Sequence, residues 1–124
     1  MDLSSIVANT RTIQIKHPGT GAEIGLAIDL VSLTDDRVKL VERQNRNKLM
    51  RKGMKNVSAE QLDKTADDVL IATMVSWKWA KDATFDGEQL EFNRKNIDRL
   101  FAKLPFVRTQ IDEELANEAD FFQS

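Results

Sequence analysis

The chain of 124 residues contains no cysteine, and this absence excludes disulfides, thiolate metal ligands and thiol catalysis together. Histidine is nearly absent as well, because His17 is the single imidazole. It precedes Pro18 and Gly19 in a predicted turn, where a histidine is more often solvated than catalytic. A metal site would have to use carboxylates such as Asp63 and Asp67, which fit a solvated helix face better. We therefore expect no enzyme activity, no cofactor and no metal.

Long apolar runs are also missing. No stretch approaches the roughly 20 apolar residues of a membrane-spanning helix. The first ten residues contain an early acid, Asp2, and lack the apolar segment of a signal peptide. We therefore expect no membrane segment and a cytoplasmic location. The length predicts a single domain over 1–124, since most domains have about 100 to 150 residues, and we expect residues 1–10 to fray.

The net charge of -2 conceals an uneven distribution along the chain. The segment 37–55 carries eight basic side chains and one acid, Glu42. The segments before and after it are acidic, and from Asp112 onward there are five acids and no base. A block of one charge tends to face solvent or a partner of opposite charge.

The N-terminal pattern predicts a β-hairpin over 11–31. Thr12 to Lys16 alternates polar and apolar residues, and turn-forming residues follow at 17–21. Alternation then resumes in a second apolar series: Ile24, Leu26, Ile28 and Leu30. The glycines at 19, 21 and 25 are spaced one residue too widely for a dinucleotide fingerprint and lead into a strand, so phosphate binding there is not expected.

The region 34–122 is predicted to be helical. Thr34 and two aspartates mark the start of a helix that reaches about Lys52. Its apolar stripe is thin and interrupted by Asn45: Val38, Val41 and Leu49. Such a helix packs weakly on its own domain unless a partner covers more of it.

A second helix is predicted from a capping box at Ser58 and Gln61. We extend it to Ala80, because the residues from Val69 onward are apolar nearly all round. In such a helix Trp77 and Trp79 lie about 200° apart, so both cannot face one core. We assign Trp77 to the core and leave two alternatives for Trp79, a partner interface or cover by the 81–90 loop.

Two further helices complete the predicted fold. Asn93 can cap one of them, and Pro105 suits the first turn of the other. Their apolar faces recur at helical spacing, and Phe122 could extend the last one: Ile97, Leu100, Phe101, Leu104 and then Val107, Ile111, Leu115. The predicted class is α+β, predominantly α-helical, with an N-terminal hairpin followed by about four helices.

The basic segment raises the alternative of a small nucleic-acid-binding module using residues 37–55. Two features disfavour it. The basic residues do not form a single helical stripe, and the aromatic residues lie in the acidic part of the chain rather than among the positive charges. The chain pI near 5.4 is also low for a nucleic-acid-binding domain.

Several short patches resemble, in order, a known family over about residues 12–122. They are His17-Pro18, Thr20-Gly21, Glu23-Ile24-Gly25, Trp77, Phe85-Asp86-Gly87, Leu90-Glu91-Phe92, Asn96-Ile97, Pro105, Gln110-Ile111 and Phe121-Phe122. The chain departs from the family pattern at Ser76, where glycine is common, and at Asn93, where serine is frequent. On these residues the chain resembles the tail assembly chaperones of long-tailed bacteriophages.

The resemblance implies a non-enzymatic role in phage tail morphogenesis. Proteins of this family bind the long helical tape measure protein, keep it soluble until tail tube subunits polymerise around it, and leave before the virion matures. They self-associate, and many exist in a short form and a frameshifted long form that contacts the tube protein. This chain resembles the short form, made in the host cytoplasm, and Phe121-Phe122 is compatible with a uridine run at which a ribosome slips.

The candidate partner-binding residues follow from these expectations. A chaperone for an apolar helix needs apolar surface rimmed by charge, so we place the oligomer or client surfaces on the basic helix 37–52 and around Trp79. The candidates are Arg43, Arg46, Leu49, Met50, Trp79, Phe85, Phe121 and Phe122.

Overall fold

The computed structural model describes residues 2–5, 9–53 and 56–122. The elements are β1 (Arg11–Lys16), β2 (Glu23–Leu30), α1 (Asp36–Lys52), α2 (Ala59–Ala72), β3 (Met74–Trp79), α3 (Arg94–Lys103) and α4 (Pro105–Ala116), with short 3-10 helices at Leu3–Ser5 and Glu118–Phe122. The predicted α+β class is confirmed. Two predictions fall partly outside the described residues. The expected fraying of residues 1–10 includes residues 1 and 6–8, and the basic segment 37–55 includes Lys55.

The predicted hairpin is confirmed. β1 and β2 pair antiparallel, and Lys16 lies opposite Glu23 beside the turn. The turn closes through the His17 amide, which donates to the Ala22 carbonyl at 2.7 Å. The alternating apolar side chains of both strands face one side of the sheet, where Ile15, Leu26, Ile28 and Leu30 are buried.

The predicted helix over 69–80 is wrong beyond Ala72. Residues 74–79 form β3, which pairs antiparallel with β2 and places β2 in the centre of a three-stranded sheet. The β-branched and aromatic residues of this stretch suit a strand, and polar Ser76 and Lys78 alternate with the two tryptophans. The uninterrupted apolar appearance arose because the end of a helix and a strand follow one another directly.

The loop after β3 packs closely on β2 at Gly25. The Ala80 amide donates to the Gly25 carbonyl at 2.7 Å. A Cβ atom at Gly25 would lie 2.7 Å from the Cβ of Ala83 and 3.1 Å from that of Ala80, and the backbone has φ +89° there. Glycine is therefore required at this position by both space and conformation.

The last two helices cover the apolar face of the sheet. Asn93 caps α3, since its side-chain oxygen accepts a hydrogen bond from the Asn96 amide at 2.9 Å. The buried residues of α3 and α4 are largely those predicted: Ile97, Leu100, Val107, Ile111 and Leu115. Phe122 was expected to extend the apolar face of the last helix, and this prediction is wrong by one residue. Phe121 is buried (1% exposed), whereas Phe122 is 43% exposed.

Gln110 of α4 forms hydrogen bonds with the backbone of the edge strand β1. Its Nε2 donates to the Lys16 carbonyl at 2.7 Å, and its Oε1 accepts from the Lys16 amide at 2.9 Å. Arg11 at the other end of β1 pairs with Glu114 of α4 at 3.3 Å. Gln110 thus satisfies part of an otherwise open sheet edge, and the ion pair holds α4 beside β1.

Candidate partner-binding surface

Helix α1 presents the densest concentration of positive charge in the described structure. Asp35 caps it, and the chain leaves the helix at Gly53, which has φ +82°. Its seven basic side chains are all exposed: Arg37, Lys39, Arg43, Arg46, Lys48, Arg51 and Lys52. Arg37 pairs with Asp35 at 2.9 Å, and none of the other six forms an ion pair with any described residue. The positive charge of α1 is therefore largely uncompensated within this part of the chain.

The thin apolar stripe of α1 faces α2. Val38 and Asn45 are buried, and Leu49 is half-buried. Leu49 lines a cleft between α1 and α2, so it supports the helix pair rather than facing outward. Among the four candidates on α1, Leu49 is thus separated from the other three.

Arg43, Arg46 and Met50 share one exposed face of α1. At about 100° per residue they lie within about 60° of each other, and Leu40 extends the face to a width of about 120°. Met50 is 71% exposed and Leu40 is 50% exposed. We call these four residues the outer face of α1. Leu40 was not among the predicted candidates, although an apolar residue lying off the buried stripe of a helix is a recognisable signal.

Trp77 and Trp79 lie on the same side of the sheet, and the prediction that they diverge is wrong. Residues two apart on a strand face the same way, and the two rings meet edge to face with centroids 5.9 Å apart. Trp77 is buried as predicted, and its indole nitrogen donates to the Leu90 carbonyl at 2.9 Å. Phe92 packs against it, with ring centroids 5.3 Å apart.

Trp79 is half-buried, and its indole nitrogen is buried without a hydrogen-bond partner among the described residues. It borders an open groove of about 600 Å³ that also touches Gln14, Glu23 and Lys78. The groove lies at the end of the sheet where the 80–83 loop approaches Gly25. A partner contact at Trp79 therefore stays a prediction, and only part of the ring is open to one.

The remaining aromatic candidates lie apart from α1. Phe85 is half-buried, and the Arg99 guanidinium carbon lies 5.7 Å from its ring centroid. Arg99 also approaches Asp86 at 3.7 Å and Glu88 at 3.9 Å. Phe121 is part of the core, so it does not support the predicted partner contact, whereas Phe122 is partly exposed.

The pKa values of Asp29 and Glu114 are shifted for local reasons. Hydrogen bonds from the hydroxyls of Ser76 and Thr12 lower the pKa of Asp29, which joins the three strands on the solvent side of the sheet. Burial, with the nearby Asp120 carboxyl, raises the pKa of Glu114 even though Arg11 opposes this.

Within the described residues, no group of three or more His, Cys, Asp or Glu side chains could hold a metal ion. No helix among those residues is long and apolar enough to cross a bilayer. Comparison of the chain with protein-family models, with curated proteins and with solved structures finds no match.

Proposed function

We propose that this protein is a phage tail assembly chaperone that binds the tape measure protein, keeps it soluble and helps to recruit tail tube subunits. The family resemblance over residues 12–122 suggests this role. The observation that carries it on the physical side is the outer face of α1, where Met50 is 71% exposed beside basic side chains without ion-pair partners in the described structure. The protein acts in the host cytoplasm, self-associates and is absent from the mature virion.

The chemistry of the outer face suits an amphipathic helical client. Two flexible apolar side chains, Leu40 and Met50, can pack on the apolar stripe of such a helix, and a methionine adapts to irregular shapes. Arg43 and Arg46 beside them attract acidic residues and limit self-aggregation of the apolar surface. A contact of this kind is weak for each residue and reversible, as a chaperone that later leaves its client requires.

Co-expression with the tape measure protein encoded in the same genome tests the proposal. We expect this chain to keep that client in the soluble fraction and to co-purify with it. The double variants Leu40→Ser/Met50→Ser and Arg43→Glu/Arg46→Glu separate the apolar contribution from the charged one, and each should reduce the soluble client. The charge-matched control Lys81→Glu/Lys95→Glu changes exposed residues outside α1 and should leave the soluble client unchanged.

The result that contradicts the proposal is a client that stays insoluble with the unaltered chain, or stays equally soluble with all three variants. Circular dichroism of each variant verifies that it is folded before the comparison. A tail tube protein in the same pull-down tests the second partner, with the frameshifted long form as the stronger expected binder.

A second candidate function, nucleic-acid binding through residues 37–55, is favoured by the six unpaired basic side chains of α1. The aromatic residues disfavour it. Every Phe and Trp of the described structure is buried or half-buried except Phe122, and Phe122 lies outside α1. Retention on a single-stranded DNA column that falls steeply with salt would favour this candidate over the chaperone.

A further inference from the structure

A cleft of about 170 Å³ lies between α1 and α2, on the side of α1 away from its outer face. Three lysines line it: Lys48 and Lys52 from α1 and Lys64 from α2. None of them forms an ion pair with a described residue, and Lys48 and Lys52 are one helical turn apart, a spacing at which like charges repel. The cleft therefore carries an excess of positive charge, because Asp68 is the single carboxylate among its described lining residues and is paired with Arg94.

The wall of the cleft contains a buried donor without a partner. Asn45 is 8% exposed, and its side-chain nitrogen has no hydrogen-bond partner among the described residues. A buried amide normally has its hydrogen bonds satisfied, because leaving one unmade costs the desolvation of that group. The position also interrupts the apolar stripe of α1, where leucine or valine would pack without this cost.

The other polar residues that line the cleft each have at least one partner inside the protein. Gln61 accepts from the Ser58 amide in the capping box, and the Thr65 hydroxyl donates to the Gln61 carbonyl at 2.8 Å. Asp68 is paired with Arg94 at 2.8 Å. The donors left without a partner among the described residues are the three ammonium groups and the side-chain nitrogens of Asn45 and Gln61.

We infer that this cleft binds a phosphate-type oxyanion, held by Lys48, Lys52 and Lys64 and by the side-chain amide of Asn45. An oxyanion would accept from the amide and neutralise the three ammonium groups together, which removes both unfavourable features at once. The inference does not depend on the proposed chaperone role, since the outer face of α1 is a different surface.

Phosphate matches the cleft better than a carboxylate or chloride does. A phosphate group carries a charge of about -1.5 to -2 at neutral pH and offers at least three strong acceptor oxygens. A carboxylate has one charge and two oxygens, and chloride has one charge and no fixed directions. Three cationic side chains and one buried neutral donor line one small cleft, which corresponds to the higher charge and the larger number of acceptors of phosphate.

Calorimetric titration and thermal melting with inorganic phosphate, at constant ionic strength, test the inference. Phosphate should bind and raise the melting temperature, whereas acetate at equal ionic strength should have a much smaller effect. The variant Lys52→Gln/Lys64→Gln should weaken phosphate binding by about tenfold or more. The control Lys39→Gln/Lys95→Gln removes the same charge from exposed positions outside the cleft and should change binding by less than about twofold.

Asn45→Leu supplies an independent readout. Without phosphate it should melt at a higher temperature than the unaltered chain, because an unpaired buried amide is replaced by an apolar side chain of similar size. Its phosphate affinity should fall. If this variant does not fold, the lysine variants and phosphorus NMR line broadening with the unaltered chain still decide the question.

Three results would overturn the inference: phosphate that stabilises no more than acetate, equal losses in the cleft and control variants, or full phosphate affinity in Asn45→Leu. A single-stranded oligonucleotide without terminal phosphates serves as a competitor. If it displaces phosphate and binds far more tightly, the cleft belongs to a nucleic-acid surface and the assignment to a small oxyanion is wrong.

Discussion

Replacement of either tryptophan by phenylalanine probes the strand that the sequence pattern concealed. Trp77 donates its indole N–H to the Leu90 carbonyl, whereas the indole N–H of Trp79 is buried without a partner in the described structure. Trp77→Phe leaves that carbonyl without its donor, at about 1–3 kcal/mol. It also loses about 1 kcal/mol of apolar burial. We expect the free energy of unfolding to fall by about 2–4 kcal/mol.

Trp79→Phe is the matched comparison, because the chemical change is identical. It loses a similar apolar area, about 1 kcal/mol, and removes the unsatisfied donor, which recovers an amount on the order of 1–3 kcal/mol. We therefore expect a result between no change and a gain of about 2 kcal/mol, and a difference of about 2 kcal/mol or more between the two variants. The comparison cancels most of the uncertainty in the area term.

Urea unfolding followed by far-UV circular dichroism measures both variants without relying on tryptophan fluorescence. If the free energy of unfolding falls with urea concentration at the same slope in both variants, their unfolding midpoints can be compared directly. Equal losses in the two variants, or a larger loss for Trp79→Phe, would refute the hydrogen-bond assignment on which the reasoning depends.

Three other predictions use local contacts of the fold. Gly25→Ala should destabilise the protein by about 2–4 kcal/mol in thermal unfolding, because the new Cβ meets Ala83 and φ is positive. The control Gly21→Ala also has a positive φ but open space around the new Cβ, and it should cost about 1 kcal/mol. Equal losses in the two variants would contradict the packing argument. Gln110→Ala should cost about 1–3 kcal/mol and speed amide exchange at the end of β1, and unchanged exchange would contradict its role at the edge. Because the pKa of Asp29 is lowered in the folded state, its contribution to stability is present above its unfolded pKa and disappears as the pH falls through the folded value. Asp29→Asn should therefore lose less stability than the unaltered chain when urea melts are repeated at acid pH. An unchanged pH profile would refute this.

Local sequence signals were sufficient for most element boundaries. The capping box at Ser58 and Gln61, the cap at Asn93 and the proline at 105 all act within one helical turn, so they are readable without knowledge of the fold. The hairpin was equally accessible because its alternating pattern is interrupted by a recognisable turn.

The third strand was not accessible in the same way. An apolar stretch at the end of a helix does not reveal whether the helix continues or a strand begins, since the choice depends on the pairing partner β2, more than forty residues earlier in the chain. Once that pairing is known, Trp77 and Trp79 are seen to lie on one face of a strand and not on opposite faces of a helix. The interpretation of Trp79 as the side chain excluded from the core depended on that error.

The charged residues, too, have some properties that the sequence determines and others that depend on the fold. Sequence alone determined that α1 is strongly basic and that its apolar stripe is thin, because both properties depend on residue order and helical period. Only the tertiary structure decided which basic side chains line a cleft with α2, that Asn45 is buried there without a partner, and that Phe121 rather than Phe122 enters the core. Those outcomes depend on which elements meet in space, and contacts between residues distant along the chain leave no periodic trace in the sequence.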